Sequence, residues 1–513
     1  MAQTTQTKPS IDCSSWPMVT FLALGTFTFA KGLPFFFESV QLPLSILLAL
    51  ECGMGLQLIL AWRRASAPNS AAVVYTIAAL FFFRIAFHLI SPGSVMWAFQ
   101  VNSIPSFVCP LVWYGVGVSC LHPKAFAVFQ RLCQMQWSVS TNLRLLLSVG
   151  LLLLSGFLFW LFRSAYITND GQDWILRMQE PVWHLYMREP LIIGLHRLAY
   201  LAAGWFIQPA SERVLATSVL AGLSVLAGMW SLCWLHALCA RWWQQSASRV
   251  LALLLLLSSG GFTILLFGHI EVYPIFIAGL LPTLYYAQRY LDHQSSIGTV
   301  ALWLSLLFGM HLSAGWLLPA FALLPWIRGK SPWLDSIILG SVFFTTQTLL
   351  WGSLFLFYYQ SDPVRFFTRL HETFHVGPDR AMFLPSYAIG SIQHLVLLFN
   401  NYLYLSLPGV ILLPLSAWAA RQKLRPILFW LALAGGYFLY TFFWNPDRGY
   451  PEDWDLFSPF ALLLCLTHLK ILIKSEEAFP AALYVGAMGA LPYVLYQITF
   501  HHITQFMRVP ILF

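Results

Sequence analysis

The chain has 513 residues, of which 58% are hydrophobic and only 9% are charged. Soluble proteins carry about 25% charged residues, so the composition excludes an ordinary soluble globular protein and indicates a polytopic membrane protein. The net charge of +8 is spread in ones and twos at the ends of apolar runs, which argues against nucleic-acid binding. The eight cysteines form no Cys-x-x-Cys pair, so neither a disulfide framework nor a zinc site is predicted.

Apolar runs that are long enough to cross a bilayer, about 20 residues each, predict an all-α fold with about 13–15 transmembrane helices. In chain order these runs are 17–37, 42–62, 71–90, 104–121, 144–163, 214–240, 249–268, 274–291, 333–359, 403–419, 426–444, 456–473 and 479–499. The first is interpreted as a retained span and not as a removed signal peptide. The run 298–327 is too long for one span, and the polar break Gly309–Ser313 predicts a hairpin of two short helices there.

The distribution of basic residues predicts which side of the membrane each loop faces. With the hairpin in place, one side collects Arg63, Arg64, Lys124, Arg131, Arg144, Arg241, Arg249, Arg289, Arg328, Lys330, Arg421, Lys423, Arg425, Lys470 and Lys474. The positive-inside rule assigns that side to the cytoplasm. The loops 164–213, 269–273, 360–402, 445–455 and 500–513 then face outward, and their basic residues are all Arg. Arginine grips phosphate in a bidentate fashion, although Lys is scarce throughout this chain.

The first large outer loop begins with a carboxylate at the mouth of a span. Asp170 and Asp173 lie there, ahead of two stretches, 172–186 and 190–207, that are predicted to be helices lying along the membrane. Asp170 is well placed to point into a cavity. In the alternative interpretation, Asn169 or Asp170 simply caps the helix that follows.

Two further polar sites interrupt the apolar runs. His269 and Glu271 occupy a short outer turn, where Glu is rarely left near hydrocarbon without a function, although a tight turn also needs polar residues. His311 lies at the break in 298–327, beside Ser313. A lone buried His is often a structural hydrogen-bonding group, so both interpretations stay open for His311.

The outer loop 360–402 resembles a lid or a substrate-binding segment. It contains Arg380, and its residues 371–375 read His-Glu-Thr-Phe-His, which is formally the zinc-protease pattern. We interpret this match as chance in a His-bearing loop.

The segment 445–458 concentrates four carboxylates and an arginine between two apolar spans, where ionised groups are costly and usually functional. Asp453 and Asp455 flank Trp454, with Arg448 nearby. Two acids around an aromatic ring suit a sugar, which packs on the ring and donates its hydroxyls to the carboxylates. The alternative is a solvated loop with an N-capping Asp.

These pieces resemble the GT-C superfamily of integral-membrane glycosyltransferases. The matching segments are Asn169-Asp170-Gly171, residues 268–274, His311 within the short helical pair, and Asp453-Trp454-Asp455. The resemblance covers residues 144–513 and leaves 1–143 as a separate four-helix membrane module. It implies a sugar donor carried on polyprenyl phosphate and an extracytoplasmic site, with the protein in a bacterial inner membrane. The acceptor hydroxyl would belong to a lipid, a glycan or a protein.

The expected roles follow from this resemblance and from the residue types. Asp170 is the candidate general base, and His269 and Glu271 would orient the base or the sugar. The candidate substrate-binding residues are Asp173, Arg188, His311, Arg380, Arg448, Asp453, Trp454 and Asp455. No metal site is assigned, and if a divalent cation such as Mg or Mn takes part, Asp170 and Glu271 are its expected ligands.

Three other classes stay open on the sequence alone. A polytopic transporter or lipid flippase would place ionisable residues at mid-membrane and often has an internal repeat, which this sequence lacks. A membrane scaffold would not need converging acids. A lipid-linked sugar enzyme outside GT-C would use the same donor chemistry.

Overall fold

The structure is a computed structural model. It describes residues 52–60, 141–161, 169–180, 188–207, 211–243, 246–257, 260–374, 389–406, 427–444 and 454–472, together with residues 49, 114, 163, 209, 409–410, 412–413 and 416. Most of the predicted module 1–143 and the predicted span 479–499 lie outside these residues, so the division into two domains stays a prediction.

The all-α prediction is confirmed for the described part of the chain, which is 87% helical and has no strand. Its α-helices are α1 (Thr141–Leu161), α2 (Asn169–Gln179), α3 (Pro190–Phe206), α4 (Glu212–Trp242), α5 (Ser246–Leu257), α6 (Gly260–Leu265), α7 (Tyr273–Leu291), α8 (Ile297–Met310), α9 (Leu318–Arg328), α10 (Pro332–Ser353), α11 (Pro363–Phe374), α12 (Ile392–Leu405), α13 (Leu428–Phe443) and α14 (Trp454–Leu472). A 3₁₀ turn, Leu312–Leu317, joins α8 to α9, and a π turn, Leu354–Tyr358, follows α10.

Several helix boundaries lie within three residues of the predicted runs, and some of these helices begin at a side-chain cap. The side chain of Ser211 accepts a hydrogen bond from the Val214 amide at the start of α4, and Ser296 does the same for Thr299 at the start of α8. Such caps satisfy amide groups that a first helical turn leaves open. Between α1 and α4, the loop helices α2 and α3 are held together by a hydrogen bond from Arg197 to the carbonyl of Met178.

The predicted hairpin at 298–327 is confirmed. Helix α8 ends at Met310, and α9 runs back until Arg328 donates a hydrogen bond to His293, at 3.0 Å, just before α8 begins. The two short helices therefore start and finish at the same end of the bundle. Gly436 of α13 lies directly against the carbonyl oxygen of Trp316 in the hairpin tip, where a Cβ would overlap it.

One part of the predicted loop pattern was wrong. Segment 360–402 contains two helices, α11 and the first part of α12, and α12 begins eleven residues before the predicted span 403–419. Ser391 caps α12 by accepting from the His394 amide at 3.2 Å. The polar residues that suggested a loop, His394 and Asn401 among them, are instead buried inside the helical packing.

The basic residues at several helix ends meet at one end of the bundle, which we call the basic end (Arg241, Arg289, Arg328 and Lys470). Arg241 pairs with Asp292 at 2.7 Å, the Arg328 guanidinium lies 4.3 Å from the Tyr290 ring centroid, and Lys470 lies over the Trp242 ring. These residues come from α4, α7, α9 and α14, which the charge distribution had assigned to one side.

Two helices in the described part of the chain are long and apolar enough to cross a membrane, namely Glu212–Trp242 and Pro332–Tyr358. Shorter apolar helices include Ile297–Met310, Leu312–Arg328 and Leu428–Phe443.

Candidate functional site

The turn between α6 and α7, which the sequence predicted to lie on the extracytoplasmic side, is buried within the protein. Gly268 has a φ of 66°, a left-handed conformation that favours glycine, and a Cβ there would lie 2.7 Å from the Cβ of Arg163. The hydroxyl of Ser224 in α4 donates to the carbonyl of His269 at 2.6 Å. The turn is therefore fixed from two sides, and it holds His269 and Glu271 inside the protein, at 2% and 4% exposure.

His269 pairs with a carboxylate that lies 186 residues further along the chain. Its Nε2 is 3.3 Å from Oδ2 of Asp455, in the first turn of α14, and both side chains are buried. The other oxygen of Asp455 accepts from the Leu456 amide at 2.9 Å. One oxygen of Asp455 thus serves the helix start and the other contacts His269, and its role in binding a sugar stays a prediction.

The hairpin tip provides a second pairing of carboxylate and imidazole. Nε2 of His311 lies 3.9 Å from Oε2 of Glu189, the residue that precedes α3. Nδ1 of His311 lies 2.7 Å from the Ser313 hydroxyl, which in turn contacts the Tyr437 hydroxyl at 3.2 Å. The amide of Leu312 also donates to the carbonyl of Arg188 at 2.9 Å. The tip is thereby joined to the loop on one side and to α13 on the other.

Glu189 has an unusual charge environment. Burial raises its pKa from 4.5 to about 7, against the opposing influence of Arg188 and Arg177, and the negative charge of Asp170 adds to the rise. Such a carboxyl group exchanges its proton near neutral pH, which is the property expected of an acid–base group.

Tyr273 links the two pairings. Its ring lies 5.4 Å from the His311 ring, and its hydroxyl interacts electrostatically with Asp455 and Glu271 and with the phenols of α13. We use the name polar cluster for Glu189, His269, Glu271, Tyr273, His311, Ser313, Tyr437 and Asp455. The polar cluster lies where α7 and α14 begin, and both helices end at the basic end.

Two further residues of the predicted site, Asp170 and Arg188, lie around the polar cluster. Asp170 is exposed in the first turn of α2, and its negative charge contributes to the raised pKa of Glu189. Asp173 is also exposed in α2, whereas Arg188 is half-buried beside the hairpin tip. The structure thus brings six of the predicted residues into one neighbourhood: Asp170, Arg188, His269, Glu271, His311 and Asp455.

The side chains of the remaining candidates lie outside the described part of the structure. Arg380, Arg448, Asp453 and the second His of the 371–375 pattern, His375, lie outside the described residues, and Trp454 is described only as the first residue of α14. His371 is exposed on α11. The roles of Arg380, Arg448, Asp453 and Trp454 stay predictions.

Sequence reasoning missed Glu189 and Tyr437. Glu189 precedes Pro190 at the start of a helix, a weak signal in a loop that has other acids. Tyr437 lies within an apolar run, and nothing in the sequence separates it from the other tyrosines of that run.

Among the described residues, no group of three or more His, Cys, Asp and Glu side chains is arranged to hold a metal ion.

Comparisons of the whole chain with profiles of known families, with curated proteins and with solved structures give no match.

Proposed function

We propose that this protein is a polytopic membrane glycosyltransferase of the GT-C type. It would transfer a sugar from a polyprenyl-phosphate donor to an acceptor hydroxyl on the extracytoplasmic side of the membrane. The observation that carries the proposal is the convergence of three buried carboxylates, two histidines and two tyrosines in the polar cluster. Buried ionisable groups in an apolar helical protein are costly and usually functional.

The membrane assignment rests on composition and on which side chains are exposed. Helix α10 presents Trp333, Ile337 and Phe344 to the outside at 71%, 63% and 69% exposure. Apolar surface of this extent is unusual in a soluble protein and suits contact with lipid. The basic end then faces the cytoplasm by the positive-inside rule, and the polar cluster faces outward.

The reaction requires one proton acceptor and one stabilised leaving group. The acceptor oxygen forms a bond to the anomeric carbon of the sugar as the bond from that carbon to the phosphate oxygen breaks. The electron pair of the broken bond leaves with the polyprenyl phosphate, and the hydroxyl proton passes to Asp170 as general base. Arg188 would offset the charge on the phosphate, while Glu271 and the His269–Asp455 pair would hold the sugar hydroxyls.

An apolar groove on the described part of the protein fits the lipid part of such a donor. It has a volume of about 430 Å³ and is lined by Leu195, Leu223, Leu226, Trp230, Ile275 and Ala278, among others. Ile275 comes two residues after Tyr273 in α7. A polyprenyl chain in this groove would therefore have its phosphate near the polar cluster.

A transporter or lipid flippase is the second candidate, and one observation favours it. The pair α8–α9 is a hairpin of two short helices with buried His311 at its tip, and transporters bind their substrates where helices are broken within the membrane. A flippase would move the lipid-linked sugar across the bilayer without cutting the bond between sugar and phosphate.

The test is reconstitution of the full chain in vesicles that contain a polyprenyl phosphate carrying a radiolabelled hexose or pentose. Membrane lipids and glycans from the source cells would serve as acceptors. We expect labelled product and free polyprenyl phosphate with the wild type and with Asp292→Asn at the basic end, but not with Asp170→Asn. Movement of intact donor to the other leaflet without bond cleavage would support the flippase instead, and the absence of both activities would contradict both candidates.

A further inference from the structure

The carboxyl groups of Asp170 and Glu189 differ in their environments. Asp170 is exposed, whereas Glu189 is 6% exposed, and the charge of each acts on the other. When two interacting carboxyl groups have such different surroundings, the exposed group is ionised first and the buried group keeps its proton. This division of protonation states is the one that a general base and a general acid need.

The groups that change the pKa of Glu189 or contact its carboxyl group come from three parts of the structure. Arg188 adjoins it in the chain, Arg177 and Asp170 lie on α2, and His311 lies on the hairpin tip. Both arginines favour the carboxylate, but burial outweighs them, so its pKa of about 7 leaves a substantial protonated fraction at neutral pH.

The tautomer of His311 follows from its contacts. The amide of Ser313 donates to Nδ1 of His311 at 3.1 Å, so Nδ1 is the nitrogen that carries the lone pair. In the neutral ring the proton is then on Nε2, which faces Glu189. His311 is therefore positioned to donate a hydrogen bond to the Glu189 carboxylate once that group has lost its proton. The separation of 3.9 Å would have to shorten, or be bridged by water, at that point.

We propose that Glu189 is the general acid of the reaction and that His311 is the positioning residue that stabilises its carboxylate form. This inference rests on the proposed function, in which Asp170 is the base. As the anomeric carbon separates from the phosphate oxygen, that oxygen takes the electron pair of the broken bond and the proton from Glu189. The acceptor proton passes to Asp170, so each carboxyl group changes its charge by one, in opposite directions. A phosphate monoester has a second pKa of about 6, which is close enough to that of Glu189 for an effective transfer.

The experiment is the pH dependence of the transfer rate with saturating donor in reconstituted vesicles. The acid must be protonated, so we expect the wild-type rate to fall as the pH rises through about 7. Glu189→Gln should lower the rate about 100-fold or more and remove this alkaline limb. Glu212→Gln, which changes an exposed glutamate at the end of the same outer loop, is the matched control and should keep both the rate and the limb.

A second variant keeps the inference testable if Glu189→Gln does not fold. His311→Phe removes the donor to the Glu189 carboxylate, which should raise the pKa of Glu189 and move the alkaline limb to higher pH. Infrared difference spectra of the carboxyl groups should show the same displacement without any turnover.

The outcomes separate the two proposals. If the wild type transfers sugar but Glu189→Gln or His311→Phe keeps the wild-type pH profile, the role of Glu189 is overturned and the proposed function stands. If the wild type transfers no sugar under any condition, the proposed function fails, and with it the use of Glu189 as an acid.

Discussion

The two ends of the helical bundle use similar residue types in opposite ways. At the basic end, Asp292 pairs with Arg241 at 2.7 Å while its side chain is 38% exposed. In the polar cluster, Asp455 pairs with His269 while both side chains are less than one tenth exposed. Exposed pairs of full charges are inexpensive to maintain and contribute little, whereas buried carboxylates carry a desolvation cost. The comparison indicates that the basic end anchors the helices, and it supports the proposal that the polar cluster has a chemical role.

The largest expected effect is on the rate of sugar transfer, which should depend on Asp170 and not on Asp292 at the basic end. Asp170→Asn should reduce sugar transfer by about 100-fold to 10,000-fold, because a general base is lost, while the yield of folded protein in detergent should be unchanged since Asp170 is exposed. The rate is measured as release of polyprenyl phosphate, with Asp292→Asn as the matched control at the basic end. Full activity of Asp170→Asn would remove Asp170 as the base.

The next largest expected effect is on the free energy of unfolding, which should fall more for a substitution in the polar cluster than for one at the basic end. Asp455→Asn should lower the free energy of unfolding by about 1.5–3 kcal/mol, since a buried hydrogen bond to a charged group is weakened. Asp292→Asn breaks a pair that reaches solvent, so its cost should be below about 1 kcal/mol. Equilibrium unfolding in detergent micelles measures both values. Equal costs would contradict the contrast in burial between the two ends.

A smaller effect tests how the hairpin tip is held beside the polar cluster. Gly436→Ala would insert a methyl group against the Trp316 carbonyl and should cost about 1–3 kcal/mol through overpacking. Gly435→Ala is an adjacent control with open space around its new Cβ, so it should be neutral or slightly stabilising. The same unfolding measurement applies, and equal effects of the two substitutions would show that the tip does not pack against α13 in this way.

The positions of several helices could be predicted from the sequence, whereas the pairings of buried side chains could not. Apolar runs predicted α4 and α7 to within three residues, and the polar break at Gly309–Ser313 predicted the hairpin, because helix length and backbone polarity are local properties. The start of α12 was missed because His394 and Asn401 are polar but buried by partners that are distant in sequence. The pairing of His269 with Asp455 spans 186 residues, so no local pattern could have predicted it.

The last prediction concerns only the side of the membrane that each end of the bundle faces, and its substitutions should have the smallest effect on the protein. Arg213→Cys, at the start of α4, and Lys330→Cys, beside the basic end, each replace an exposed basic residue and should leave the fold and its stability unchanged. In intact cells, a membrane-impermeant thiol reagent should label the cysteine at 213 and spare the one at 330, with the parent protein as the background. The reverse pattern would place the basic end outside and contradict the assignment of the polar cluster to the outer face.

The most direct measurement for the central claim is an experimental structure of the protein with a non-transferable polyprenyl-phosphate sugar analogue. The proposed function predicts the phosphate close to Arg188 and the sugar between Asp170 and the His269–Asp455 pair. It also predicts the lipid chain along the apolar groove lined by Leu223, Trp230 and Ile275. An analogue that binds at the basic end, or one that leaves the polar cluster without a ligand, would contradict the claim.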